Sequence, residues 1–369
     1  MNASTKFLSY HPRRCFAYTL VCLTVSTTLS SATPSWGTPF MQPGIAAATC
    51  AGPALDASNL PVAASDAYTF GLMDVRGPSA TQYGACIPSA PLWNPPMYHH
   101  ASWNAEDLGN VYGLTIGNNG TVYVAAHGLY GAYRPLHHRY GNIGGGATDL
   151  NAAGTIYKIN QLTGVPTVFA VIPGQQSMTL SGGLVSGPGL GNIAYDAGHN
   201  QFFATSLEDG KIYRINASGS IVGSFDPMTA DNGAPGLPPK HERLWAIEVL
   251  DDAVYYSVWN SGSLVDPSKI RRVNILPSGV LDTGSDIEVL TVPGQTFVSH
   301  ASPISDITFS SDGLTMVLGE RTMAQATYSY NHNSRTHVAE FTSSWTVTKS
   351  MATGCNSSRG EGYGGVAFG

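Results

Sequence analysis

Residues 191–216 read GNIAYDAGHNQFFATSLEDGKIYRIN. An apolar run (Ile193, Ala194, Tyr195) stops at Ala-Gly-His-Asn, a second opens at Phe202 and Phe203, and a third (Ile212, Tyr213, Ile215) follows Glu-Asp-Gly. Short apolar stretches punctuated by Gly, Asn and Asp are strands joined by hairpins, because those residues tolerate the backbone conformations that tight turns require. A helix would instead need apolar residues three and four apart over a longer window without the glycines.

The same form recurs along the chain. YGLTIGNNGTVYVAA begins at Tyr112, LWAIEVLDDAVYYSVW at Leu244 and ISDITFSSDGLTMVLGE at Ile304. Aligned on the first strand, Leu114, Ile193, Ile247 and Ile307 are separated by steps of 79, 54 and 60 residues. Each unit has a second half: GTIYKIN from Gly154, GKIYRIN from Gly210, SKIRRVN from Ser268 and, more loosely, THVAEFT from Thr336, followed by apolar segments such as PTVFAVI or GSIVGSF. A repeat of four short strands predicts an all-β fold, a β-propeller with one blade per unit. A β-sandwich has no reason to repeat G-x-I-Y-x-I-N.

The final stretch EGYGGVAFG places Val366 another 59 residues beyond Ile307, where a fifth unit would start. The expectation is a propeller of six or seven blades, of which about four and a fraction lie in this chain. The alternative is that AYTFGLMDV, Ala67 to Val75, completes a fifth blade and closes a five-bladed ring.

Composition agrees with strands and turns: only 11% of residues are charged, against 42 glycines and 23 prolines. Residues 1–32 read as a signal peptide, with Arg13 and Arg14, an apolar stretch from Cys15 to Thr27 and a small-residue cleavage site at Ser30-Ser31-Ala32. That stretch falls short of the ~20 apolar residues a transmembrane helix needs, and no later segment reaches that length. The mature chain is expected to be soluble, secreted or held at the cell surface or in the periplasm, with no membrane span. Residues 33–106 form an N-terminal segment with a first strand near 67–75, and residues 107–369 form the blades.

The first 32 residues carry three basic and no acidic side chains, which leaves 15 Lys and Arg against 24 Asp and Glu, a net charge of −9. No basic patch for nucleic acid or anionic lipid follows from that balance. Cys50, Cys86 and Cys355 remain after signal removal. In an oxidising compartment Cys50 and Cys86 are expected to close a loop, with Cys355 either free or paired outside this sequence.

In a propeller, the loop into the first strand and the loop out of the second open on one face. That face collects Asn110 and His127 from the first blade, Asn192, Glu208 and Asp209 from the second, Trp259 and Asn260 from the third, and Asp306, Glu320 and Arg321 from the fourth. The long insertion from His127 to Ala153 adds Tyr130, Tyr133, Tyr140, Arg134 and Arg139, residue types that carry binding energy at interfaces. Asn192, Glu208, Asp306 and Glu320 offer oxygen atoms of the kind calcium takes. The plainer account has Asp306 capping a strand and Glu320 paired with a basic neighbour such as Arg321. The adjacent pairs His99-His100 and His137-His138 read as loop residues, since neighbours on extended chain point apart. No G-x-S-x-G, H-E-x-x-H, phosphate-binding loop or C-x-x-C-H motif occurs.

The segment GLGNIAYD…FFATSLEDGKIYRIN resembles secreted bacterial propellers related to NHL-repeat, SMP-30/gluconolactonase-like and strictosidine-synthase-like proteins, over roughly Leu108 to Phe368. MDVRGPSA and WNPPMYHHASWNAEDLGNVYG look like the start of uncharacterised surface-associated members. Two functions stand open, the second of them implied by the resemblance. One is a binding module that takes a protein, glycan or small molecule on the upper face. The other is a lactonase or esterase dependent on calcium or another divalent cation, with Glu208 or Glu320 orienting the cation and Asp306 as the base. A quinone-dependent dehydrogenase would need more cationic side chains than these loops supply.

Overall fold

A computed structural model describes residues 41–49, 66–74, 97–126, 154–172, 178–180, 184–186, 189–207, 209–228, 238–259, 267–294, 301–325, 328–329 and 334–352. In chain order the strands are β1 (Ile45–Thr49), β2 (Phe70–Asp74), β3 (Met97–Tyr98), β4 (Val111–Ile116), β5 (Val122–Ala126), β6 (Thr155–Ile159), β7 (Pro166–Val171), β8 (Met178–Leu180), β9 (Leu184–Ser186), β10 (Leu190–Asp196), β11 (Gln201–Ser206), β12 (Ile212–Asn216) and β13 (Ile221–Phe225). They continue as β14 (Leu244–Leu250), β15 (Ala253–Val258), β16 (Lys269–Ile275), β17 (Leu281–Thr291), β18 (Ile304–Phe309), β19 (Thr315–Glu320), β20 (Met323–Gln325), β21 (Tyr328–Ser329), β22 (Arg335–Phe341) and β23 (Trp345–Ala352).

Among the described residues the repeat forms four blades of a β-propeller, each a four-stranded antiparallel sheet: β4–β7, β10–β13, β14–β17, and β18, β19, β22, β23. The hairpin β8–β9 lies between the first and second blades and accounts for part of their longer step. A second small hairpin, β20–β21, is inserted within the fourth blade. Turns follow the residue types: Asn200 and Asp251, at the tips of the first hairpins of the second and third blades, adopt φ of 50° and 51°. Among the described residues no helix is long and apolar enough to cross a membrane.

The second strands of the first three blades are buried on both faces, because each of these blades is covered on both sides. On β5, Val122, Val124 and Ala126 pack with Phe70, Leu72, Trp103 and Leu108 of the N-terminal region, whereas Tyr123 and Ala125 pack with Ile193 and Phe202 of the second blade. Similar apolar clusters join the second blade to the third and the third to the fourth. At about 1.5–3 kcal/mol for each large side chain removed from water, these seams supply most of the adhesion between blades. The strand Phe70–Asp74 is the centre of a three-stranded sheet, β1-β2-β3, covering the side of the first blade that the second leaves open.

Polar stitches add direction to this packing. In the second blade, the Thr205 hydroxyl accepts the Asn192 N–H (2.9 Å) and donates to the carbonyl of Trp245 on the third (2.5 Å). Ser257 repeats the device one blade on, accepting the Ala246 N–H (2.9 Å) and donating to the Ile304 carbonyl (2.6 Å). All four first strands carry a bulge near their start, between Val111 and Gly113, Leu190 and Ile193, Leu244 and Ile247, and Ile304 and Asp306. The bulge changes which residues point to which side, and so controls what reaches the channel. Residues 1–32, Cys50, Cys86, Cys355 and the stretch Glu361 to Gly369 lie outside the described residues.

Candidate functional site

The first strands β4, β10, β14 and β18 pack on one another at the centre of the arc. Asn192 is the junction. Its Oδ1 accepts the backbone N–H groups of Leu114 (3.3 Å), on the first blade, and of Ile193 (2.8 Å). Oxygen is the only amide atom able to accept those protons, so the orientation is fixed and Nδ2 points the other way. It donates to Asp306 Oδ1 on the fourth blade at 2.8 Å. Asp306 Oδ1 also accepts the Ile307 N–H at 3.1 Å.

Around this pair stand residues of every blade. Glu248, on the third, is half-buried beside Asp306. Burial, with the Asp306 charge adding to it, pushes its carboxyl up to about 8, against a smaller opposing effect of the Val249 N–H that Oε1 accepts (2.9 Å). Glu248 is therefore a neutral hydrogen-bond donor at neutral pH. Tyr112, on the first blade, lies 5.3 Å from the Trp245 ring, with the Arg321 guanidinium 5.7 Å from its centroid. Burial pushes the Tyr112 hydroxyl up to about 12, while Arg321 and Ser305 act in the opposite direction. Beside this group, Trp259 is buried, 5.4 Å from Trp245 and 5.1 Å from the Arg243 guanidinium.

The residues read from the sequence onto one face have different surroundings. Asn192, Asp306 and Arg321 come together at the channel, and Trp259 lies beside them within an apolar cluster of Leu207, Trp245, Ala301 and Met323. Asp209 turns into its own blade, where Oδ2 accepts the Tyr213 hydroxyl (2.5 Å) and Oδ1 the Lys211 N–H (3.2 Å). Glu320 is buried and pairs with Arg335 (2.8 Å) and His337 (3.1 Å); its basic partner is thus on the neighbouring strand rather than at Arg321. Asn110 is buried. His127, Tyr130, Arg134, Glu208 and Asn260 fall outside the described residues. Of the histidine pairs, His99 packs on Tyr68, with ring centroids 3.5 Å apart, and His100 accepts the Ser102 N–H at 3.1 Å. Among the described residues no three His, Cys, Asp or Glu side chains form a group able to hold a metal.

Tyr112, Trp245, Glu248 and Ser305 are the residues that sequence reasoning passed over. All sit on first strands instead of in loops. The available signal was a carboxylate in mid-strand, in LWAIEVL, where apolar residues otherwise prevail.

No family model matches this chain, and no curated protein matches it. Solved structures do resemble it at the level of the fold. One is the Dos1 propeller, at 8% identity and a TM-score of 0.38, with 68% of this chain aligned to 51% of that one. The periplasmic gluconolactonase of Pseudomonas aeruginosa aligns at 10% identity and a TM-score of 0.41, over 78% of this chain and 69% of the enzyme. An auxiliary nutrient-binding protein of Bacteroides thetaiotaomicron aligns at 10% identity and a TM-score of 0.35, over 66% of this chain and 42% of that protein. This chain spans about half the length of the first of these.

Proposed function

We propose that this chain is an exported, ligand-binding propeller, acting outside the cell, at its surface or in the periplasm, and holding a small polar ligand at the channel formed by the first strands. The observation that supports it is the Asn192–Asp306 pair with its surroundings. The Asp306 negative charge and the Arg321 positive charge offset each other, Glu248 is neutral below pH ~8, and the Tyr112 hydroxyl and Asn192 amide add uncharged polar groups. A site of near-zero net charge, rich in donors and acceptors and walled by aromatic rings, suits a neutral polyhydroxylated ligand such as a glycan better than an ion. Calorimetric titration with a panel of neutral mono- and oligosaccharides tests this: Asp306→Asn and Arg321→Ala each weaken binding at least about tenfold, the loss of one charged hydrogen bond. Equal affinity in wild type and both variants would refute the assignment.

The closeness of Glu248 to Asp306 favours a second reading, a divalent-metal-dependent lactonase or esterase, in which those two carboxylates would hold the cation and the cation would activate water. The Asn192 oxygen is committed to two backbone N–H groups, so the amide presents nitrogen to Asp306 and adds no ligand oxygen there. Calcium titration during thermal unfolding separates the two, because a cation bound only to the folded state raises Tm. An unchanged Tm at saturating calcium removes the second reading.

A further inference from the structure

Away from the channel, the fourth blade carries a hydrogen-bonded chain of three side chains on three adjacent strands. Ser350 Oγ lies 2.7 Å from His337 Nδ1, and His337 Nε2 lies 3.1 Å from Glu320 Oε2. Glu320 in turn accepts from Arg335 Nε (3.2 Å) and Nη2 (2.8 Å). The register explains how strand residues converge this way. His337 pairs directly with Ser350, and the bulge at Thr348, between the pairs Val338–Lys349 and Ala339–Val347, keeps Ser350 on the same face as Val347.

The tautomer follows from charge. Burial alone would push the Glu320 carboxyl up, but the bonds from His337 and Arg335 outweigh it and hold the group below its ordinary value. An ionised carboxylate only accepts, so Nε2 carries the imidazole proton and the Nδ1 lone pair faces the Ser350 hydroxyl. His337 is wholly buried while Ser350 is exposed. A groove of about 470 Å³ between the third and fourth blades is lined by apolar residues such as Leu290, Trp345 and Val347 together with the polar Glu288, Thr291 and Thr346, and Val347 shares its strand face with Ser350. Pro293, also in its lining, ties the groove to the hydrogen-bonded chain, because its carbonyl accepts Arg335 Nη2 at 2.8 Å.

We propose that Ser350 is a nucleophile for carboxylic esters, with His337 as its general base, Glu320 and Arg335 as positioning residues, and the groove as the seat of the acyl group. The step balances as an acyl transfer. Ser350 Oγ bonds the ester carbonyl carbon as its proton passes to His337 Nδ1. The bond to the alcohol oxygen then breaks, and that oxygen leaves with the proton from Nδ1. Water repeats the sequence on the acylated serine, releasing the carboxylic acid and restoring the hydroxyl. The chain lacks a G-x-S-x-G elbow, so sequence inspection for the usual nucleophile passes over Ser350.

The test is covalent. The full-length chain is treated with a fluorophosphonate and the adduct located by peptide mass spectrometry. One phosphonyl group on Ser350 is expected, absent from Ser350→Ala, and unaffected by Ser218→Ala, an exposed serine on the second blade. In His337→Gln the labelling rate falls about 100-fold or more, the usual effect of losing a general base. Failure of folded wild-type protein to label at Ser350 overturns the proposal whether or not His337→Gln folds. Equal labelling rates in wild type and a folded His337→Gln variant overturn it too, because a purely structural histidine would leave the rate unchanged.

Discussion

Asn192 joins Asp306 through a 2.8 Å hydrogen bond between first strands whose blades have a third blade between them. The same side chain holds the Leu114 N–H of the first blade, so one amide links three of the four blades. Asn192→Ala leaves the Asp306 carboxylate and two backbone N–H groups without this partner in a buried setting. A loss of about 1–3 kcal/mol is expected, measured as a lower urea midpoint with unchanged slope. A destabilisation no greater than that of an exposed control such as Ser218→Ala would show that the blades are held by apolar seams alone.

Glu248 gives stability a pH dependence whose sign is unusual for a carboxylate. Its folded value of about 8 exceeds the ordinary 4.5, so between those limits the folded chain binds more protons than the unfolded one. The contribution is therefore complete below pH ~4.5, declines as pH rises, and is gone above ~8. The full shift, discounted for the water that reaches a half-buried group, corresponds to about 2–4 kcal/mol. Glu248→Gln removes the slope, and denaturant titrations at pH 5.5 and 9 of wild type and variant read it directly. Parallel profiles for the two proteins would contradict this account.

The blades were legible because G-x-I-Y-x-I-N and its variants mark one strand per unit, and strands buried on both faces read as continuous apolar runs. The sequence reading put Asn192, Asp306 and Arg321 on one face; Asn192 bonds Asp306 from one first strand to another, and Arg321 lies over Tyr112. What the sequence withheld was the direction of side chains on the first strands. Alternation would normally assign them, but the bulges at Val111/Gly113 and Leu244/Ile247 shift the pattern of two, so Tyr112 and Glu248 could not be assigned to the channel. The Glu320 partner was hidden for another reason. Arg335 and His337 reach it across a strand pairing interrupted in sequence by the β20–β21 hairpin, whereas Arg321 is adjacent in sequence but points to Tyr112.

Gly191, on the first strand of the second blade, lies against the first strand of the third. A Cβ added there would lie 2.4 Å from Thr205 Oγ1 and 2.6 Å from the Trp245 carbonyl oxygen, against the very stitch that joins the second and third blades. Backbone cannot retreat without opening that seam. Gly191→Ala is expected to cost about 1–3 kcal/mol, the usual range for overpacking. Gly223→Ala provides the comparison, since its nearest new contact would be Arg214 Nε at 3.6 Å. Thermal unfolding of the two variants should differ by several degrees, and equal Tm values would mean that the first strands are free to separate.

The acid limb of stability should belong to Glu320. Its folded carboxyl lies below the ordinary 4.5, burial being outweighed by His337 and Arg335, so its contribution is complete above that value and is lost as pH falls through the folded one. This slope is opposite to that of Glu248, and the two variants separate them. Glu320→Gln leaves the Arg335 guanidinium short of its counter-charge in a position only 18% exposed, for which about 3–5 kcal/mol of destabilisation at pH 7 is expected. Below the ordinary 4.5 the gap from wild type narrows, because there the unfolded chain takes up a proton that the folded carboxylate resists. Glu248→Gln leaves that acid limb intact. Urea midpoints at pH 3.5 and 7 decide the matter, and a Glu320→Gln penalty that is the same at both would place the acid sensitivity elsewhere in the molecule.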